Sequence, residues 1–146
     1  MNLLLSLVLA FSWPLPSPAV ARGFDPPPRP WLAGHRGVDL AGAAGTPAFS
    51  AAPGIVVFAG TVAGRPVVSV AHANGLRTTY EPVSAMVRPG QAVAAGAPIG
   101  TLLAGHPGCP VAACLHWGVR RGAEYLDPLA LLGLRRVRLL PLDGGQ

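Results

Sequence analysis

Pro66-Val67-Val68-Ser69-Val70-Ala71-His72-Ala73-Asn74-Gly75-Leu76-Arg77-Thr78-Thr79-Tyr80 is the stretch that decides the fold class. Its first half, Pro66 to His72, is rich in β-branched residues and alternates in polarity, the pattern of a strand with one buried face. Asn74-Gly75 is a dipeptide that accepts the positive φ angles of a two-residue hairpin turn, and Leu76 to Tyr80 then returns as a second strand. Upstream, Gly54-Ile55-Val56-Val57-Phe58-Ala59 is another β-branched run, ended by Gly60. Downstream, Gly90 to Val93 and Pro98 to Leu103 read as short strands separated by Ala-Gly. Leu115 to Arg120 alternates Leu115, Trp117 and Val119 against His116, Gly118 and Arg120. Asp127-Pro128 supplies an N-cap and an N1 proline for a short helix through Leu132. Strands this short and closely spaced predict an all-β domain of antiparallel sheets, a sandwich or barrel, with a short C-terminal helix.

Composition agrees. The chain has 146 residues, 51% hydrophobic and 12% charged, with 19 Gly and 17 Pro. That length suits one core, and so much Gly and Pro disfavours a helical bundle. The apolar fraction is too high for a disordered chain. All 11 basic residues are Arg, which excludes functions that need a lysine: a Schiff base, a phosphate-loop Lys, or a biotinyl or lipoyl attachment point. Gly90 to Gly100 resembles the repeat of biotinyl and lipoyl carriers, but without a lysine the likeness concerns β-structure only.

Residues 1–21 read as an export signal. Leu3 to Phe11 is apolar and too short to span a bilayer, and Ala19-Val20-Ala21 has the small-x-small form of a cleavage site. Pro14, Pro16 and Pro18 break any longer helix, which weighs against an uncleaved anchor. Residues 22–30 form a Pro-rich extended leader, residues 31–133 the folded domain, and residues 134–146 a basic tail. A net charge of +5 suits an anionic partner; dispersed Arg without interleaved aromatics, together with export, excludes nucleic acid. Outside the cytoplasm, Cys109 and Cys114 are expected to form a disulfide around Pro-Val-Ala-Ala; two free thiols with one on a metal is the alternative.

Three polar residues stand out of an otherwise apolar β-domain. His35-Arg36-Gly37-Val38-Asp39 places an imidazole and a carboxylate four apart, and His116 follows far downstream on a strand. Two imidazoles and one carboxylate are a normal catalytic zinc ligand set with a fourth position left for water. By spacing alone the signal is weak, because a single histidine is more often a satisfied structural residue.

Order along the chain adds specificity. His35-Arg36-Gly37-Val38-Asp39-Leu40 is followed by Gly45-Thr46-Pro47 and Ala51-Ala52-Pro53-Gly54-Ile55-Val56. Then come His72 to Tyr80, Val87-Arg88-Pro89-Gly90-Gln91-Ala92-Val93, Pro98-Ile99-Gly100, Cys114-Leu115-His116-Trp117 and Asp127-Pro128. In these segments, across about two-thirds of its length, the chain resembles the lysostaphin-like family of zinc endopeptidases that cut peptidoglycan cross-bridges. The resemblance implies antiparallel sheets forming a narrow groove with one zinc on its floor. It places His35, Asp39 and His116 as metal ligands and gives His72 a structural role.

Two departures bear on activity. The family has His-x-His on its last strand, and here Cys114 holds the first position. The family also has a His two residues after the Tyr, and here Tyr80 is followed by Glu81 and Pro82. Both imidazoles of acid–base chemistry are thus absent from their usual places; such groups contribute roughly 10²–10⁴-fold. Substitutes are Glu81 as a base, Cys114 as ligand or nucleophile, and His106 from the loop before the cysteines. Strand alternation turns Glu81 away from the metal if Pro82 faces it, and a Cys109–Cys114 disulfide removes Cys114 from both roles. The expected function is a secreted, monomeric zinc hydrolase acting on cell-wall peptides; the alternative is a catalytically silent relative that binds wall peptide or a partner hydrolase.

Overall fold

The computed structural model describes residues 11–132. Residues 1–10 of the expected export signal and all of the basic tail lie outside the described residues. Eleven strands run in order: β1 (Ala19–Arg22), β2 (Val38–Gly42), β3 (Pro47–Phe49), β4 (Gly54–Val62), β5 (Arg65–Ala71), β6 (Leu76–Glu81), β7 (Val83–Ala85), β8 (Ala92–Val93), β9 (Pro98–Leu102), β10 (Ala113–Arg121) and β11 (Glu124–Leu126). Eight of them form one antiparallel sheet in the order β1-β2-β10-β6-β5-β4-β8, with β11 on β10; β3-β9-β7 form a second. Residues 128–132 are helical, and the Leu129 N–H donates to Asp127 Oδ1 at 3.0 Å, the cap read from Asp127-Pro128.

The deciding hairpin forms between β5 and β6, with Asn74 and Gly75 at φ 65° and 73°. One boundary differs. Gly60 does not end its strand: β4 continues to Val62, and the turn falls at Ala63-Gly64, both with positive φ. The ladder to β5 pairs Gly60 with Val67 and Val62 with Arg65, so cross-strand bonding carries the strand past a residue of poor strand propensity.

Strand β10 organises the interior. Leu115, Trp117 and Val119 are buried on one face, and Trp117 lies opposite Val38 of β2 and Tyr80 of β6. The other face carries His116, Gly118 and Arg120, which line an open groove. His72 is built into the frame. Its Nδ1–H donates to the Pro53 carbonyl at 2.8 Å, and its Nε2 lies 2.7 Å from Thr78 Oγ1. Burial lowers its pKa, which keeps the ring neutral in those bonds.

The packed core begins earlier than Trp31, which is 76% exposed. Phe11 and Leu15 are buried; the Phe11 ring centroid is 6.5 Å from that of Trp117 and 5.6 Å from that of His72. The Ser12 N–H donates to Ala51 O and the Phe49 N–H to Pro14 O, each at 2.8 Å, before β1 pairs with β2. Phe11→Ala in the full chain is expected to lower unfolding stability by about 3–5 kcal/mol. Urea denaturation checks this: an unchanged midpoint would show that the ring does not pack on Trp117.

Candidate metal centre

Four backbone features bring the polar residues together. Asp25 and His35 exchange both of their backbone hydrogen bonds (2.9 and 2.7 Å), folding the leader back onto the start of the domain. Gly34 permits this approach, since a Cβ there would lie 2.7 Å from Asp25 O. Asp39 of β2 stands directly opposite His116 of β10 in the ladder, so the two side chains share a face. Gly37 leaves room for that imidazole: a Cβ on it would come 2.6 Å from the Trp117 carbonyl and 2.8 Å from His116 Nε2.

Asp39 is fully buried, and Oδ1 is the point of convergence. His35 Nε2 lies 3.1 Å from it, His116 Nδ1 2.9 Å and His106 Nε2 3.2 Å. His35 Nδ1 lies 2.7 Å from the Gly23 carbonyl, which can only accept, so Nδ1 carries the proton. With Nδ1 engaged in this way, Nε2 is the ring atom left facing the carboxylate, and it is the atom that would bind a cation there. Asp39 Oδ2 is buried with no hydrogen-bond partner, an unmet acceptor beside the crowded Oδ1. Burial pushes the Asp39 pKa up, but the His116 hydrogen bond and the nearby imidazoles outweigh it and hold the carboxyl below its ordinary 3.8. One ligand atom each from His35, Asp39 and His116 lie within 4.8 Å of one another, and two nitrogens with one ionised oxygen suit a borderline divalent cation.

Of the remaining candidates, the cysteines form the expected disulfide, while Glu81 and His106 stand elsewhere than their sequence reading placed them. Cys114 is buried in a disulfide to Cys109, with Cα atoms 5.7 Å apart, and in that bond it has no thiolate to offer as nucleophile or ligand. Glu81 does not turn away from the centre. It lies directly opposite His116 in the β6–β10 ladder and lines the same groove, because β6 alternates buried Leu76, Thr78 and Tyr80 with groove-facing Arg77, Thr79 and Glu81. Its Oε2 is held at 2.9 Å by Arg65 Nε, so its charge is already engaged. His106, named from the sequence only as a loop residue with reach, is in the centre itself. Its ring lies 5.6 Å from that of His116, and burial is the main cause of a pKa lowered from 6.5. The cysteine pair was the signal for it: a bond across five positions folds the preceding loop onto β10.

Beside the centre runs a groove of about 480 Å³, whose walls include Arg36, Arg65, Arg77 and Arg120 against the single carboxylate of Glu81. Arg36 is braced by the Pro30 and Leu32 carbonyls and lies 5.9 Å from the Tyr125 ring centroid.

An imidazole–carboxylate centre beside an open groove on an antiparallel sheet defines a metallopeptidase-type domain. Residues 33–128 match the model of Peptidase family M23, and the chain belongs to that family. It is 59% identical over 136 residues to the uncharacterized protein Rv2891 of Mycobacterium tuberculosis, which covers 90% of this chain and 55% of that protein. The chain thus spans little more than half the length of this relative. Over 98 residues it is 32% identical to the DD-carboxypeptidase/endopeptidase Mpg of Neisseria meningitidis, covering 66% of this chain and 22% of Mpg. Among solved structures it is similar to a zinc-containing peptidase from Vibrio cholerae (TM-score 0.68, 26% identity, 84% of this chain and 39% of that one). It is likewise similar to the catalytic domain of the antimicrobial peptidase lysostaphin from Staphylococcus simulans (TM-score 0.67, 26% identity, 80% and 92% covered). The expected lysostaphin-like fold is therefore the observed one.

Gly37→Ala tests the packing under His116. Overpacking against the Trp117 carbonyl is expected to cost about 1–3 kcal/mol of stability. Gly23→Ala, whose Cβ meets nothing within 4 Å, is expected to stay within about 0.5 kcal/mol of wild type. Equal urea midpoints for the two variants would contradict the close approach.

Proposed function

We propose that the protein is an exported zinc peptidase that hydrolyses the peptide cross-links of peptidoglycan. The observation that carries this reading is the convergence of imidazoles on one buried carboxylate beside an arginine-walled groove. His35, Asp39 and His116 are the residues to hold one zinc, and the Gly23 carbonyl orients His35 for it, as carbonyl partners of metal-binding histidines do. Bound zinc supplies Lewis acidity and a water whose pKa is lowered to about 7. The groove's guanidiniums suit a peptide bearing free carboxylates, and both the Mpg likeness and the zinc peptidase likeness support this substrate class. Export rests on the apolar start of the chain and on a disulfide that an oxidising compartment preserves. Among the described residues, no helix is long and apolar enough to cross a membrane.

A second reading, a silent binder of wall peptide or of a partner hydrolase, is favoured by two observations. Arg65 engages Glu81, and the disulfide engages Cys114.

Two measurements on the full chain test the proposal. Zinc loading followed by metal analysis is expected to give about one zinc per chain and a raised Tm, both lost in His116→Ala. Incubation with purified cell walls is expected to release new amines in the wild type and none in that variant. A chain that holds no zinc overturns the ligand assignment; a zinc-loaded chain that releases no amine is the silent binder.

A further inference from the structure

The chain has lost an imidazole from the strand at Cys114, yet a third imidazole stands in the centre. His106 and Cys109 are the two residues of the stretch 104–112 that are not exposed; their neighbours all face solvent. The loop is tied by few other contacts. Gly105 N–H donates to Ala112 O at 3.4 Å and Cys109 N–H to His106 O at 3.2 Å, the second a turn that sets the imidazole and the sulfur at a fixed offset. Gly105 and Gly108, at φ 99° and 80°, bend the chain on either side of His106.

The anchor point of this loop matters as much as its shape. Cys114 and His116 are two apart on β10, so their side chains leave the same face roughly 6.6 Å apart. Cys114 pairs with Ala41 and His116 with Asp39 in one ladder. A loop bonded to Cys114 is therefore suspended one side-chain step from the centre, and His106 Nε2 reaches Asp39 Oδ1 at 3.2 Å.

We propose that His106 is a positioning residue of the metal centre, donating from Nε2–H to Asp39, and that the Cys109–Cys114 disulfide is the tether that delivers it. The cysteine on the strand thus anchors an imidazole that comes from the loop. This rests on the metal-binding reading above and deepens it.

Cobalt(II), whose d–d absorption reports coordination, is titrated into five versions of the full chain: wild type, His106→Ala, His106→Gln, Cys109→Ala/Cys114→Ala, and that double variant combined with His106→Ala. Circular dichroism verifies that each is folded. Wild type is expected to bind one cobalt. His106→Ala is expected to bind it about 10–100-fold more weakly with an altered d–d band, the usual effect of removing a partner of a metal ligand. His106→Gln, whose amide N–H stands near the Nε2–H position, is expected to recover most of both. The double cysteine variant is expected to match His106→Ala, and adding His106→Ala to it is expected to change nothing more, since the two act through one contact. If wild type binds cobalt and His106→Ala matches it in affinity and spectrum, the role of His106 is overturned. If the cysteine variant behaves as wild type, the tether is overturned. If wild type binds no cobalt, the metal-binding reading itself fails.

Discussion

A carboxylate with no solvent exposure must have its charge answered by neighbours, and Asp39 is answered by three imidazoles at one oxygen. Each comes from a separate part of the chain: His35 from a leader folded back by the Asp25 bridge, His116 from the facing strand, and His106 from a tethered loop. Satisfying this single charge requires the β2–β10 register, the leader's return and the disulfide at once. A register slip of one residue would turn Asp39 into the core and Val38 or Leu40 into the groove.

Strand β10 joins the core to the chemistry. Trp117 fills the interior between Val38 and Tyr80, while His116, its neighbour in sequence, reaches the opposite face. The imidazole inherits its rigidity from a side chain that packs away from it. The groove face is the more lightly built: its glycines, Gly37 and Gly118, keep backbone close under the imidazole and leave its walls to long arginine side chains. That division leaves the position of the imidazole to the strands and the charge of the groove to the arginines.

Much of this was legible in the residues themselves. The hairpin at Asn74-Gly75, the alternation around Trp117 and the Asp127-Pro128 cap depend on local periodicity and turn chemistry, which neighbouring residues determine. The His35–Asp39 spacing and His116 could be picked out because they are polar residues in apolar surroundings. What could not be read depended on tertiary context. That Phe11 packs on Trp117 and that Ser12 bonds to Ala51 is decided by residues far away in the chain. Glu81 faces His116 through the β6–β10 register, which fixes which face of β6 meets the centre and is a matter of pairing rather than of local sequence. His106 enters through a cross-link rather than through any periodic element.

The Gly23 carbonyl that holds His35 follows directly on β1, the outermost strand of the large sheet. Docking of that strand and orientation of the imidazole are therefore parts of one equilibrium. Thermodynamic reciprocity makes the exchange two-way: an ion that favours the oriented ring also favours the docked strand, by the same factor. The N-terminal edge of the sheet and the aim of His35 are thus fixed by the same few residues.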